Sequence, residues 1–111
     1  TGIERGAAAP DQRPEHPCVG TNAMNFYNVG RATRGLVAYI RAYRAKADLQ
    51  GAGSIVFAHD TRHFSADFAQ FCARIATDLG ATVYLFDSCR PTPEMSFAVR
   101  RLHADAGVMI T

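Results

Sequence analysis

Three amphipathic helical segments alternate with three short apolar runs, and that alternation leaves the chain few folds to choose from. From about Asn25, the residues Val29, Thr33, Leu36, Val37 and Ile40 recur at helical spacing. Ser54-Ile55-Val56-Phe57-Ala58 then has the length and apolar character of a buried parallel strand. Ser65 is positioned to cap a second helix whose buried face is Phe68, Phe71, Cys72, Ile75 and Leu79, and Gly80 stands where a left-handed C-terminal cap belongs. The next strand is Thr82-Val83-Tyr84-Leu85-Phe86. Thr92-Pro93-Glu94 starts a third helix with a hydroxyl cap, a proline at the first helical position and an acid in the first turn. Its apolar stripe is Met95, Ala98, Val99 and Leu102, and Ala106 to Ile110 is the last strand. Such an order predicts βαβ crossovers and a parallel sheet covered on both faces, a three-layer α/β domain. Gly30 and Gly35 each weaken the first helix by roughly 1 kcal/mol relative to alanine. Close packing against another backbone is the expected reason.

Bulk properties remove several function classes. At 111 residues, 48% hydrophobic and 20% charged, the chain reads as one ordinary soluble domain. A net charge of +2 without a basic stripe points away from nucleic acid. No apolar run approaches the roughly 18 residues of a membrane span, and no signal peptide is visible. Cytoplasmic location and no membrane partner are the expectation. Cys18, Cys72 and Cys89 are odd in number and widely spaced, which argues against a disulfide framework and a zinc site.

In a parallel α/β sheet, ligands bind outside the carboxyl ends of the strands, so three places are candidates. The loop His59-Asp60-Thr61-Arg62-His63-Phe64-Ser65 offers Arg62 and helix-start amides to a phosphate. For Asp60 and Ser65 the favoured reading is structural, an Asp60–Arg62 pair and a Ser65 cap. His59 and His63 form a metal pair only if a third ligand converges, and none is near in sequence. Asp87-Ser88-Cys89-Arg90-Pro91-Thr92-Pro93 is mainly architectural, with Thr92 occupied as a cap and Cys89 a bystander rather than a nucleophile. The third place is Thr111, whose hydroxyl would face the crevice. No Gly-x-Gly-x-x-Gly follows any strand, so dinucleotide binding is weakly supported.

Four segments, in order, resemble the first domain of the α-D-phosphohexomutases, the phosphoglucomutase/phosphomannomutase superfamily, and most resemble its bacterial phosphoglucomutase branch. Thr1-Gly2-Ile3-Glu4-Arg5-Gly6 is similar to the family's first motif, G-T-G-G-L-R-G. Gly20-Thr21-Asn22-Ala23-Met24-Asn25 resembles G-x-N-R-M-N, and Ala58 to Ser65 resembles the Y-D-x-R-H-x-S loop. The most specific likeness is Arg90 to Arg100, close to R-P-T-P-E-L-S-F-A-V-R, followed by Ala106-Gly107-Val108-Met109-Ile110-Thr111, close to A-G-I-M-I-T. Ile3 and Glu4 depart from the first motif, Ala23 stands where the family has arginine, and the stretch from Ala7 to Val19 is longer than the family's linker.

The resemblance implies an α/β/α sandwich with a mainly parallel mixed sheet, residues 25–111, preceded by a partly mobile loop over 1–24. It implies an isomerase of carbohydrate metabolism, a phosphoprotein that interconverts hexose 1-phosphate and hexose 6-phosphate by intramolecular phosphoryl transfer through a phosphoserine. Glucose is the expected sugar. A-G-I-M-I-T leads in the family into A-S-H-N-P, which puts that serine two residues after Thr111 and leaves no catalytic residue in this chain. Thr1, Arg5 and Thr111 are the implied phosphate-binding residues, with Glu4 an unhelpful charge beside Arg5. Implied cofactors are Mg2+, whose ligands belong to another domain, and hexose 1,6-bisphosphate as activator and intermediate. Implied partners are the sugar phosphate and the C-terminal domains of the same enzyme, and the 111-residue chain alone is expected to be inactive. The rival is a non-catalytic α/β interaction module, for which exposed apolar residues on the last helix or strand would mark a covering neighbour.

Overall fold

The computed structural model describes residues 20–111. Its elements run α1 (Phe26–Lys46), β1 (Ser54–His59), α2 (Ser65–Asp78), β2 (Thr82–Leu85), α3 (Thr92–Arg101) and β3 (Ala106–Ile110). The three strands form one parallel sheet in the order β2-β1-β3. The chain therefore steps from β1 to its neighbour β2, then crosses back over β1 to reach β3. Crossovers of one hand that step in opposite directions must lie on opposite faces, and the side chains agree. Ile55, Phe57 and Ile110 join Phe68 and Cys72 of α2 in the main core. Alternate residues face α3, where Gly107 leaves room for Met95 and Val99; a Cβ there would overlap both.

The faces differ in depth. Val37 and Ile40 of α1 extend the core on the α2 side, where Phe57 and Phe68 are 0% exposed. On the other side α3 lies alone and none of its residues is fully buried. Phe97 is 66% exposed, and an apolar hollow of about 200 Å³ opens between Ala98, Leu102 and the strand residues Val56 and Tyr84. Exposed apolar residues on the last helix are what a covering neighbour would leave behind.

All three helices begin at the carboxyl end of the sheet. Phe26 of α1 packs edge-on to Phe68 and Phe71, while Arg41, four turns later, donates to the Leu79 carbonyl at the end of α2, so the two helices run in the same direction. Gly30 lies where they meet, and a Cβ there would sit a tight 3.2 Å from Ile75 Cδ1 and Phe71 Cε1. Its contact is thus with side chains rather than backbone. Gly35 has nothing within 4 Å, so close packing does not account for it.

Helix ends provide one confirmation and three corrections. Gly80, at φ +92, is the left-handed cap after α2: its N–H reaches Thr77 O and that of Ala81 reaches Ala76 O, the paired bonds of a Schellman motif. Leu79, expected within the helical face, is instead the flanking residue and only half-buried. Ser65 is not the α2 cap. That place belongs to Phe64, at φ 63, and Ser65 is the first helical residue with its hydroxyl turned elsewhere. Thr92 does not cap α3 either. The Pro91 carbonyl accepts from both Glu94 N–H at 3.0 Å and Met95 N–H at 3.3 Å, so the helix starts a residue early and Pro93 falls at its second position.

Candidate functional site

The loops after β1 and β2 leave on opposite sides of the sheet, which opens a crevice at the strands' carboxyl ends. At its centre is Asp60, the first residue past β1. Its backbone N–H continues the ladder to Ile110 O at 3.1 Å, so the Asp60 main chain is held by β3. Its Oδ1 accepts from the Arg62 N–H and from Ser65 Oγ, each at 2.9 Å. Its Oδ2 accepts from Thr111 Oγ1 at 2.6 Å and lies 3.3 Å from Arg62 Nε. One carboxylate thus ties the end of β1, the start of α2 and the end of β3.

Partial burial pushes the Asp60 carboxyl up, but the hydrogen bonds from Thr111, Arg62 N–H and Ser65, with the Arg62 charge, outweigh it and leave the pKa below the ordinary 3.8. Asp60 is an anion at neutral pH and only accepts. The protons of Thr111 Oγ1 and Ser65 Oγ are therefore committed to it. Arg62 keeps part of its fork available, with its side chain 54% exposed.

Around this cluster stand three helix starts. The first is closed by its own sequence: Asn25 Oδ1 accepts from Asn28 N–H at 2.9 Å, and Asn28 Nδ2 donates to Gly20 O and Ala23 O at 2.9 and 2.7 Å, knitting the Gly20–Asn25 turn onto α1. The other two, at α2 and α3, have no side-chain cap. Their first N–H groups and dipoles make the crevice favourable to anions. Acidic residues Asp67 and Glu94 sit in those first turns.

The remaining sequence candidates separate. His59 Nδ1 is engaged with the Asp60 carbonyl at 3.0 Å, while the His63 ring lies 5.0 Å from that of Phe64. Among the described residues no three His, Cys, Asp or Glu side chains converge on a point that could hold a metal ion. Cys89 is an exposed free thiol beside the crevice. Cys72 is a core residue, and burial pushes its thiol up against a weaker opposing hydrogen bond from Thr33, the reverse of activation. Arg90 turns to Asp87 at 3.3 Å and Glu94 at 3.5 Å, a local framework for the second loop. Thr1 and Arg5 lie outside the described residues. The bond between Thr111 and Asp60 was not visible in sequence, and neither was the Asn28 brace.

Comparison with known proteins agrees with this geometry. Residues 17–111 match the family model for phosphoglucomutase/phosphomannomutase, alpha/beta/alpha domain I. A phosphoglucomutase from Staphylococcus epidermidis is 42% identical over 93 residues, 84% of this chain and 16% of the relative. Phosphoglucomutases from Staphylococcus haemolyticus and Staphylococcus aureus are 39% and 38% identical over the same shares. The chain thus spans 16% of the length of these relatives. No solved structure matches it.

Proposed function

This chain belongs to the phosphoglucomutase/phosphomannomutase family, as its α/β/α domain I, and on that basis we propose that it forms one wall of the active site of a cytoplasmic enzyme interconverting hexose 1-phosphate and hexose 6-phosphate, with glucose as the sugar. The observation that carries this reading is positional. Thr111, which ends the Ala106–Thr111 segment, projects into a crevice where two helix starts lack side-chain caps.

In the proposed reaction a serine two residues beyond Thr111 carries the phosphoryl group. It passes the group to a hydroxyl of the sugar phosphate, and the resulting hexose 1,6-bisphosphate returns its other phosphoryl group to the serine. Thr111 holds the carrier loop through its side chain. Because its only hydroxyl proton is committed to Asp60, its contact to phosphate runs through the main chain. Arg5 presents a guanidinium fork and Thr1 a hydroxyl, both from the N-terminal loop. Magnesium, held by ligands in another domain, offsets charge on the transferring group. The exposed apolar surface around Phe97, Leu102 and Tyr84 supports the view that further chain covers α3. It would equally suit the rival, an interaction module with a separate partner.

The test is a coupled assay of glucose 1-phosphate to glucose 6-phosphate conversion on the whole enzyme, with phosphoserine mapped by mass spectrometry. Turnover with phosphate on the serine past Thr111 is expected. Absence of turnover with any hexose phosphate would favour the module. The 111-residue chain alone should stay at background at every magnesium concentration.

A further inference from the structure

We propose that Asp60 is a positioning residue for the segment that follows β3: its carboxylate fixes Thr111 against the β1–α2 loop and so sets the direction in which the chain leaves the sheet. The proposal deepens the functional reading above, and depends on it for its effect on turnover but not for the contact itself.

Four features support it. The Thr111–Asp60 bond, at 2.6 Å, joins residues far apart in sequence and is the shortest of the carboxylate's contacts. It lies one residue beyond the last backbone rung between β1 and β3, Asp60 N–H to Ile110 O. There the Thr111 side chain, not only the backbone, ties β3 to the residue that follows β1. Next, Asp60 is itself held on its other oxygen by Ser65, which is 1% exposed and sits at the start of α2, so the anchor is fixed to the core rather than to a loose loop. Finally, Arg62 is drawn to the same carboxylate by its own N–H and its Nε, which adds the loop backbone to the anchor.

With three hydrogen bonds and the Arg62 ion pair already on it, Asp60 is poorly placed to accept a proton from substrate or to ligate a metal. The distinction is measurable. A carboxylate that does chemistry cannot be replaced by an amide, whereas a positioning group can. The Arg62 N–H keeps the amide oxygen of an asparagine on the Ser65 side, and the Thr111 hydroxyl can rotate to accept from the amide NH2, so only the Arg62 Nε contact is lost. Asp60→Asn should then preserve most of the arrangement that Asp60→Ala destroys.

The first measurement needs no activity. The Asp60 carboxyl of the 111-residue chain is followed by carbon NMR from pH 2 to 7, with Thr111→Val and Thr111→Ser beside the wild type. A midpoint below the ordinary value that rises in Thr111→Val and is restored in Thr111→Ser supports the contact. A midpoint that Thr111→Val leaves unmoved overturns the proposal, whatever the enzyme's activity. The second measurement is steady-state kinetics on the whole enzyme. Asp60→Ala should lower kcat by about 10–100-fold, the scale of a misplaced reacting group, with Asp60→Asn recovering most of it. The Asp60→Ala/Thr111→Val pair should be no worse than the worse single variant. An Asp60→Asn enzyme as impaired as Asp60→Ala, or losses that multiply, would overturn the positioning role. A wild-type enzyme without mutase activity would count against the functional reading alone, since the NMR result decides the contact independently.

Discussion

The two ends of the sheet are each held by one aspartate, and they are held differently. At the amino end, Asp105 Oδ2 accepts from the Ser54 N–H at 2.8 Å and Oδ1 from Arg44 Nη1 at 3.0 Å, joining β3, β1 and α1. At the carboxyl end, Asp60 joins β1, α2 and β3. The carboxylates are similarly exposed, 25% for Asp105 and 30% for Asp60, so burial does not distinguish them. Their partners do. Apart from a long 3.5 Å contact from Ser54 Oγ, every partner of Asp105 is a backbone N–H or a guanidinium, groups that donate and never accept. Asp60 also faces a backbone N–H and a guanidinium, both of Arg62, but its two other partners are hydroxyls, which can reverse. A fixed clamp suits an end with nothing to do but stay closed. An adaptable one suits an end that, on the proposed function, faces a ligand.

The contrast can be broken most severely at Gly53, whose φ of +77 an L residue rarely adopts and whose Cβ would overlap the Asp105 carboxylate and Arg44 Cδ. Gly53→Ala should destabilise the chain by about 2–4 kcal/mol through strain and overpacking together, read by urea denaturation. Asp105→Asn comes next, at roughly 1.5–3 kcal/mol, because an amide must point its NH2 at a donor. Acid sharpens the same point. Burial pushes Asp105 up, but the Ser54 N–H, the Arg44 bond and the Arg44 charge outweigh it, so that both aspartates lie below 3.8 when folded. Their contribution to stability is complete above that value and is lost as pH falls through the folded pKa values. Melting temperature should be flat from pH 7 to about 5 and fall below about 4, with a shallower fall in Asp105→Asn. The smallest effect belongs to Thr92→Ala. With no capping bond to lose, it should stay within about 0.5 kcal/mol of wild type.

What sequence could and could not show follows from the range of each interaction. The stripe Val29, Thr33, Leu36, Val37 and Ile40 and the apolar run Ile55 to Ala58 are periodic within a few residues, and both fold as their spacing predicts. Gly80 was legible because a Schellman end is local. Ser65 was not, because the hydroxyl that a local rule assigns to a cap is taken by Asp60 across a folded loop. Thr92 failed for a related reason, the Pro91 carbonyl having already closed the first turn. The site was legible as a place, the carboxyl ends of the strands, with Arg62 and Thr111 named from position and Thr1 and Arg5 from family resemblance. That Thr111 meets Asp60 depends on β3 pairing beside β1 rather than β2, which no local pattern records.

The difference between the two ends is tested most directly by making the same chemical change at each: Asp105→Asn and Asp60→Asn in the 111-residue chain, unfolded in urea at pH 7. With the amide oxygen kept toward the Arg62 N–H, the Thr111 hydroxyl can accept from the NH2 and only an exposed ion pair is lost. That should leave Asp60→Asn within about 1 kcal/mol of wild type, while Asp105→Asn loses at least about 1 kcal/mol more. An Asp60→Asn chain as unstable as Asp105→Asn, or less stable, would contradict the account.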